Sequence, residues 1–459
     1  MTDSSRAERI PTESLCPVCL RRVPALRVSI GPAVFLEKTC GEHGRFRTVI
    51  WRGPPDMAGW VRPKHPSPPR AGRPSTERGC PFDCGLCIRH GQHTCTALLE
   101  VTGRCNLACP ICFASSNASA AGGVADPDAR TVHFWYERVM DQSGPCNIQL
   151  SGGEPTVRDD LPDLVAMGRR TGFPFIQLNT NGIRLAREPS YARRLREAGL
   201  ASVFLQFDGT DDSVYRTLRG RSLLDEKRRA VERCAEAGIG VVLTATLMPG
   251  VNTGHIGSII DLGIALSPAV RGIHFQPVAY FGRYPHPPDD ALRITLPEVI
   301  VAVIAQGGGR FRAEDFHPPG CEHALCSFSG NFIVLERGRV QPLTRRQDDC
   351  CAEPIDAAEG ARKAIAATAA RWAPPAPDAG PCACGGDDLD RFIGRASTHS
   401  FSISCMAFQD AWTVDLERLR GCCIHTVSPD GRLIPFCAYN LTDCKGRPLH
   451  RKTDEATPW

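Results

Sequence analysis

The sequence predicts an α/β fold, an open partial (β/α)6 barrel carrying small cysteine-rich metal-binding segments at both ends. Three observations predict it. From residue 97, short β-branched or apolar runs alternate with stretches of helical period. Polar residues gather where those runs end. The 23 cysteines of the 459-residue chain fall mostly in short groups at ligand spacing.

The expected strands are 97–103, 147–151, 175–180, 201–207, 240–247 and 272–278. Helices are expected between them near 128–141, 159–171, 188–198, 222–237 and 255–265, with one more at 296–306. Such alternation implies a parallel sheet with right-handed crossovers. Six units are too few to close an eight-stranded barrel but suit an open one. The barrel is placed at 97–310. Before it come a knuckle-like metal-binding segment (1–61), a basic Pro-rich linker (62–79) and a dense cysteine loop (80–96). After it come a connecting segment (311–351), an Ala/Pro-rich insertion or flexible linker with room for one helix (352–400), and a last cysteine-bearing segment (401–459).

Hydrophobic residues make up 42% and charged residues 23%, as in ordinary soluble chains. The net charge of +4 is small and the cations form no stripe, so nucleic acid is not an expected partner. No apolar run reaches the roughly 18 residues of a membrane span. The polar stretch Met1–Pro11 lacks a signal-peptide core. A cytoplasmic protein is therefore expected, with peripheral membrane contact left open. In a reducing compartment, cysteines at this density serve as metal thiolates rather than disulfides.

The central group is Cys105-Asn-Leu-Ala-Cys109-Pro-Ile-Cys112, directly after the first expected strand. In βα-barrel enzymes the chemistry sits in the loops after strands. Three thiolates on one loop hold three irons of a 4Fe–4S cubane and leave the fourth iron open for a ligand. The alternative, a structural zinc or an electron-transfer cluster, normally takes four protein ligands. The next strand ends supply Ser151-Gly152-Gly153-Glu154-Pro155, Asn179-Thr180-Asn181-Gly182 and Gln206-Phe207-Asp208-Gly209, followed by Thr244, Thr246 and Gln276. Two adjacent glycines let a ligand approach the backbone, and Glu154 accepts hydrogen bonds from an ammonium group. Taken singly, each polar residue is more often a turn residue. Together they line a site.

CxxxCxxC after strand one, GGEP after strand two and a six-unit partial barrel resemble the radical S-adenosylmethionine (SAM) superfamily, over roughly 97–280. The resemblance implies that the amino and carboxylate groups of SAM chelate the open iron. Gly152, Gly153 and Glu154 would hold the amino group. Asn179, Asn181, Gln206, Asp208 and Thr246 are the further candidate cofactor contacts. Reductive cleavage of SAM then gives a 5′-deoxyadenosyl radical that takes hydrogen from an unactivated C–H bond. A reductant such as ferredoxin or flavodoxin is implied as partner.

Cys80, Cys84, Cys87 and Cys95 fall within 16 residues and can close a 4Fe–4S site, with zinc as the alternative. Cys16, Cys19, Cys40 and His43 suit one tetrahedral ion, zinc or a rubredoxin-like iron, and His43 leans toward zinc. Near the end, Cys405, Cys422 and Cys437 are candidate ligands of another auxiliary cluster, and a hairpin turning at Pro429-Asp430-Gly431 brings Cys422 and Cys437 together. Cys321 and Cys326 are possible additions, while Cys350, Cys351, Cys382, Cys384, Cys423 and Cys444 have no assigned role. Cys146 and Cys234 read as buried thiols, and His274 and His425 as packed histidines.

GCPFDCGLCIRHGQHTC, LLEVTGRCNLACPICFA, SGGEPTVRDDL, FQPVAYFGR and RLIPFCAYN resemble the tetraether lipid synthase group. That group was earlier classed with the class D radical SAM methyltransferases acting on 7,8-dihydro-6-hydroxymethylpterin. The resemblance implies three 4Fe–4S clusters, one of them SAM-binding, and one mononuclear metal. It implies either coupling of sp3 carbons on lipid chains, the leading expectation, or C-methylation of a pterin or other small heterocycle. Substrate is thus a lipid or a small molecule. An iron–sulfur electron carrier is the non-enzymatic alternative. A coupling enzyme calls for a long apolar tunnel, with Phe113, Phe207, Phe275, Tyr280 and Phe281 as candidate walls, although core packing is the commoner fate of such residues. A pterin enzyme calls for a compact polar pocket.

Overall fold

The fold follows from strands whose outer face is apolar and buried, while the other face carries polar residues toward an enclosed space. A computed structural model describes residues 8–69, 77–116, 125–285, 287–343, 354–375 and 388–451. The N-terminal segment is a four-stranded antiparallel sheet of β1 (Arg9–Leu15), β2 (Arg22–Ile30), β3 (Ala33–Cys40) and β4 (Gly44–Arg52), paired in that order. Sequence reading expected only a metal knuckle here. The knuckle lies at the β1–β2 and β3–β4 turns, and alternating burial along β2 and β3 builds the sheet around it.

A two-residue β5 (Lys64–His65) interrupts the linker. The barrel strands follow: β6 (Thr96–Thr102), β7 (Asn147–Gly152), β8 (Ile176–Thr180), β9 (Ser202–Gln206), β10 (Gly240–Leu247) and β11 (Val270–Pro277). All six lie parallel and side by side in chain order. Each agrees with its expected range to within two residues. The expected helix at 188–198 is Tyr191–Glu197, and two unexpected helices are present, Ile183–Arg187 before it and Asp212–Arg219 after β9.

The sheet does not stop at six. β12 (Ser327–Val334) and β13 (Val340–Pro342) lie at one edge; a short β14 (Ile355–Asp356) pairs with β5 instead. β15 (Ser400–Met406) joins β11 in parallel, and β12 adds to β15 antiparallel. At the other edge β16 (Ile424–Val427) pairs parallel with β6, and β17 (Leu433–Pro435) closes the expected hairpin. The result is an open sheet of 11 strands. Its C-terminal strands cover both edges of the six-unit barrel, which limits unpaired backbone.

The segment read as an insertion or flexible linker with room for one helix holds a helix, Ala357–Trp372, capped by the Asp356 side chain on the Ala358 amide. It crosses the N-terminal ends of the barrel strands. Asn147 donates to the Ile365 carbonyl at 3.4 Å, Arg271 Nε donates to the Arg371 carbonyl at 3.0 Å, and Trp372 Nε1 donates to Ser402 Oγ at 3.1 Å. Its Gly360, part of a run that read as low complexity, is small because a Cβ there would lie 2.7 Å from the Gly320 carbonyl oxygen. Residues 376–387, with Cys382 and Cys384, and residues 344–353, with Cys350 and Cys351, lie outside the described residues.

Candidate active site and metal centres

The sheet curls around one cavity of about 600 Å³ that reaches from the Cys105–Cys112 loop to the Ala357–Trp372 helix. Cys105, Cys109 and Cys112 all line it. Arg283 holds their loop, with Nε donating to the Cys109 carbonyl at 2.9 Å and with paired backbone bonds to Cys112. Gly282 precedes it at φ 67°, and a Cβ there would lie 2.5 Å from the Cys112 carbonyl oxygen. The FGR stretch of the sequence is therefore a clamp on the cysteine loop. Asn181 Nδ2 donates to Asn106 Oδ1 at 2.7 Å and fixes the loop from β8.

The two glycines after β7 serve this loop directly. A Cβ on Gly152 would meet the Thr102 carbonyl at 2.2 Å, and one on Gly153 the Arg104 carbonyl at 2.1 Å. Their amide neighbours bond the same segment: Gly153 N donates to Thr102 O and Glu154 N to Arg104 O, both at 2.8 Å. The glycines thus bring β7 against the strand bearing the cysteines. Glu154 is buried and already accepts four hydrogen bonds, from Thr156 N and Oγ1, Thr180 Oγ1 and Asn181 N. Its carboxylate ties the ends of β7 and β8 together.

Asp208 lies one step removed from the cavity. It accepts both prongs of Arg219 at 2.7 and 2.8 Å and the Thr246 amide at 3.0 Å. Arg219 lines the cavity and is close enough to the Cys109 thiol for the two to influence each other's charge. Burial opposes its charge, but Asp208 holds its pKa above the ordinary range. Sequence reading missed Arg219 because it sits on the unexpected helix Asp212–Arg219. Lys227, fully buried, donates to the Asn181 carbonyl and to Gln206 Oε1, and burial lowers its pKa to about 8. Two buried cations beside three thiols suit an anionic cluster. Burial pushes the Cys105 thiol up to about 12, so a bare loop is thiol rather than thiolate. Among the described residues, the side chains close enough for a single ion form two other sets, and neither includes these three cysteines. The trio suits separate corners of a cubane.

Below the loop, inward-facing polar residues form a layer through strand register: Gln206 beside Thr244, Thr244 beside His274, His274 beside Ser404, and Ser404 beside Ser329. His274, read as a packed residue, is in this layer. It hydrogen-bonds Ser404 Oγ at 2.9 Å and stacks on Phe204 at 5.4 Å. Burial holds its pKa down at about 4, so the ring is neutral. Of the five aromatic residues considered as tunnel walls, Phe113 and Phe281 reach the cavity, while Phe207 and Phe275 belong to the main core.

The N-terminal group assembles as expected. His43 Nδ1 lies 3.7 Å from Cys16 Sγ and 3.5 Å from Cys40 Sγ, and Cys19 and Cys40 sulfurs are 4.0 Å apart. A tetrahedron with bonds of about 2.3 Å has edges of about 3.8 Å, so one ion fits. His43 lowers the Cys40 pKa to about 6, favouring the ligand thiolate.

The other cysteines sort differently from expectation. Cys95 does not join Cys80, Cys84 and Cys87. It meets Cys321 and Cys423, all three buried, with Cys95 and Cys423 sulfurs 2.9 Å apart. The reason is β6, which begins at Thr96 and carries Cys95 away to the β16 edge, where Cys423 precedes Ile424. Cys84 is close enough to Cys80, Cys87 and Cys422 to feel all three. Cys422 and Cys437 both feel Cys326. Cys405 stands apart in the main core, in register between Phe275 and Phe328, and burial alone pushes its thiol up. Alternation along β15 turns it away from lumen-facing Ser404. Cys146 and Cys234 are buried as expected.

Comparison with known proteins decides the family. Residues 99–263 match the radical SAM superfamily, and residues 10–52 match the HMPTM N-terminal zinc ribbon domain. A 7,8-dihydro-6-hydroxymethylpterin dimethyltransferase of Methanocaldococcus jannaschii is 35% identical over 97% of this chain and 94% of its own. The chain belongs to the radical SAM superfamily, in the group of that methyltransferase. The radical SAM core accounts for a wider likeness. A GTP 3′,8-cyclase of Paenarthrobacter nicotinovorans is 29% identical over 42% of this chain and 54% of its own. Among solved structures, Streptococcus suis SuiB bound to S-adenosylmethionine matches 40% of this chain and 39% of its own at 15% identity, with TM-score 0.33. The hydrogenase maturase HydG of Carboxydothermus hydrogenoformans matches 48% and 52% at 14% identity, with TM-score 0.37. The radical SAM match begins at β6 and ends within the helix Ile256–Ala265, so it contains the Cys105–Cys112 loop and the GGEP turn. This radical SAM chain is an enzyme with an α/β sheet at its centre. No helix among the described residues is long and apolar enough to cross a membrane.

Proposed function

We propose that this radical SAM enzyme is a C-methyltransferase acting on a reduced pterin or a similar small nitrogen heterocycle. The observation that carries this reading is the near full-length likeness to the M. jannaschii pterin dimethyltransferase. It reverses the order of the sequence expectations, which put coupling of lipid chains first. Below the cysteine loop the cavity walls carry the Thr244–His274–Ser404–Ser329 layer beside apolar residues such as Phe113 and Phe281.

When bound, a SAM-ligated 4Fe–4S cluster supplies hydrogen-atom abstraction from an unactivated C–H bond. Cys105, Cys109 and Cys112 would hold the cluster, and the backbone of Gly152 and Gly153 would face the amino group of SAM. Asp208 sets Arg219 against Cys109. Lys227 braces the Asn181 and Gln206 strand ends. The buried surroundings exclude water from a reactive centre. Cys16, Cys19, Cys40 and His43 would hold one zinc or iron as a structural ion. The remaining cysteines would hold one or two auxiliary clusters, from the sets around Cys84 and around Cys321. The substrate is a small molecule, the reductant a ferredoxin or flavodoxin, and the compartment the cytoplasm.

The test uses anaerobically reconstituted protein with SAM and dithionite. Two substrates are compared, deuterated 7,8-dihydro-6-hydroxymethylpterin and a deuterated dialkylglycerol lipid. Deuterium in 5′-deoxyadenosine from the pterin alone, lost in Cys109→Ala, is the expected result. Deuterium from the lipid alone overturns the methyltransferase reading.

A further inference from the structure

We infer that Arg371, with Thr368 one turn before it, seats a phosphate group of the substrate at the end of the cavity away from the cysteine loop. What carries that phosphate rests on the small-heterocycle reading above, to which a phosphorylated substituent is now added.

The first observation is a cation without a counter-ion. Elsewhere in the chain, guanidinium groups held out of solvent face carboxylates: Arg27 faces Asp415, Arg219 faces Asp208 and Arg293 faces Asp410. Arg271 has no carboxylate but donates to the Arg371 and Thr398 carbonyls and to Ser400 Oγ. Arg371 is half-buried, lines the cavity and makes no hydrogen bond or ion pair through its side chain with any described residue. Burial lowers its pKa, and no neighbouring charge offsets this. Among the described residues, the carboxylates lining the cavity are Glu154 and Glu322. Glu154 is bonded at the cysteine-loop end, and Glu322 accepts from Ser327 while burial pushes its pKa up. The other cations near Arg371 are engaged: Lys363 pairs with Glu359 at 3.3 Å, and Arg62 donates to the Pro318 carbonyl at 3.3 Å. A desolvated charge destabilises a protein until it is paired, so Arg371 calls for an anion from outside the chain.

The second observation is a free hydroxyl beside it. Thr171 and Thr217, on other helices, return their hydroxyls to the carbonyl one turn back at 3.0 Å. Thr368 makes no such bond and lines the cavity on the same helix face as Arg371. Helical side chains lean toward the helix N-terminus, which brings the Arg371 guanidinium over the turn that bears Thr368. A planar fork and a hydroxyl on one face match the oxygens of a phosphate.

Position decides which part of the substrate this is. A Cβ on Gly240, where β10 begins, would lie 2.2 Å from the Trp372 carbonyl oxygen. Thr246, near the other end of β10, accepts from Arg219 at 3.1 Å beside the cysteine loop. The strand between them spans about 20 Å. A ring that reacts at the loop reaches Arg371 only through a substituent, and the phosphate belongs at its tip.

Equilibrium dialysis against cluster-loaded protein compares 7,8-dihydro-6-hydroxymethylpterin with its diphosphate ester, and a dialkylglycerol with its phosphate. The parent is expected to bind the pterin ester at least tenfold more tightly than the pterin alcohol. Arg371→Gln is expected to erase that preference and leave the alcohol's affinity as it was, and Arg371→Lys to restore part of it. Thr368→Val is expected to weaken the ester alone, about threefold. Iron content equal to the parent's shows that a variant is folded. Should Arg371→Gln lose iron, Arg371→Lys and Thr368→Val carry the test. Alcohol and ester bound alike by the parent, or both weakened equally in the variants, overturns the phosphate seat and leaves the methyltransferase reading standing. Dialkylglycerol phosphate bound through Arg371, with neither pterin bound, keeps the seat and overturns the heterocycle. Binding of none of the four overturns both.

Discussion

At the residue scale, the GGEP turn shows how a motif reaches its function. Its glycines lack side chains because the backbone of Thr102 and Arg104 occupies the space. A methyl group 2.1 Å from a carbonyl oxygen cannot be accommodated without moving one strand against the other. Gly153→Ala is therefore expected to shift the Cys105–Cys112 loop. Anaerobic reconstitution followed by iron and sulfide analysis is expected to show loss of about one cluster's worth of iron, with the ribbon ion retained. Full iron loading and normal SAM cleavage in this variant would contradict the packing argument. The carboxylate of Glu154 was legible as a functional group but not as a fully bonded one. Its partners Thr180 and Asn181 come from another strand, and no local pattern reports that they converge.

At the element scale, the barrel strands were legible because short β-branched or apolar runs end in polar residues, and the helices because one face repeats every 3.6 residues. Helix Ala357–Trp372 was not legible as a packed element. Its small residues carry little periodic signal, and the carbonyl that Gly360 abuts belongs to Gly320, in another segment. The C-terminal segment is held to the barrel by a buried pair. Asp410 accepts from Arg293 at 2.8 and 3.2 Å and from the Tyr280 amide at 2.9 Å, and both side chains of the pair are buried. Burial opposes the Asp410 charge, but Arg293 outweighs it and lowers the pKa below the ordinary value. A carboxyl with a lowered folded pKa stabilises the protein above its unfolded pKa of about 3.9, and that contribution disappears as pH falls through the folded value. Asp410→Asn is expected to cost about 3–5 kcal/mol at neutral pH, the usual result of leaving one member of a buried pair. In urea unfolding followed against pH, the gap between parent and variant is expected to hold from neutrality to about pH 5 and to narrow below about pH 4. A gap that widens in acid would rule out this role for the pair.

At the scale of the whole molecule, the cysteines are redistributed by topology. Spacing put Cys95 with Cys80, Cys84 and Cys87. The sheet puts it with Cys321 and Cys423, more than two hundred residues away. Cys321→Ser is expected to remove metal from this site while leaving the ribbon ion and the SAM-binding loop loaded. Metal analysis against Cys234→Ser, a buried thiol away from the candidate sites, checks it. Equal metal content in the two variants would show that the three thiols are not a ligand set.

The sequence alone made the six-unit barrel, the SAM-type cysteine loop and the paired CxxC and CxxH turns legible, because each is written in short local patterns. The tertiary structure alone decided which distant cysteines meet, that Arg219 and Arg283 serve the cysteine loop, and that His274 and Asn331 face the cavity. Those facts depend on strand order and register, which arise from contacts between segments far apart in the chain and leave no mark on local composition.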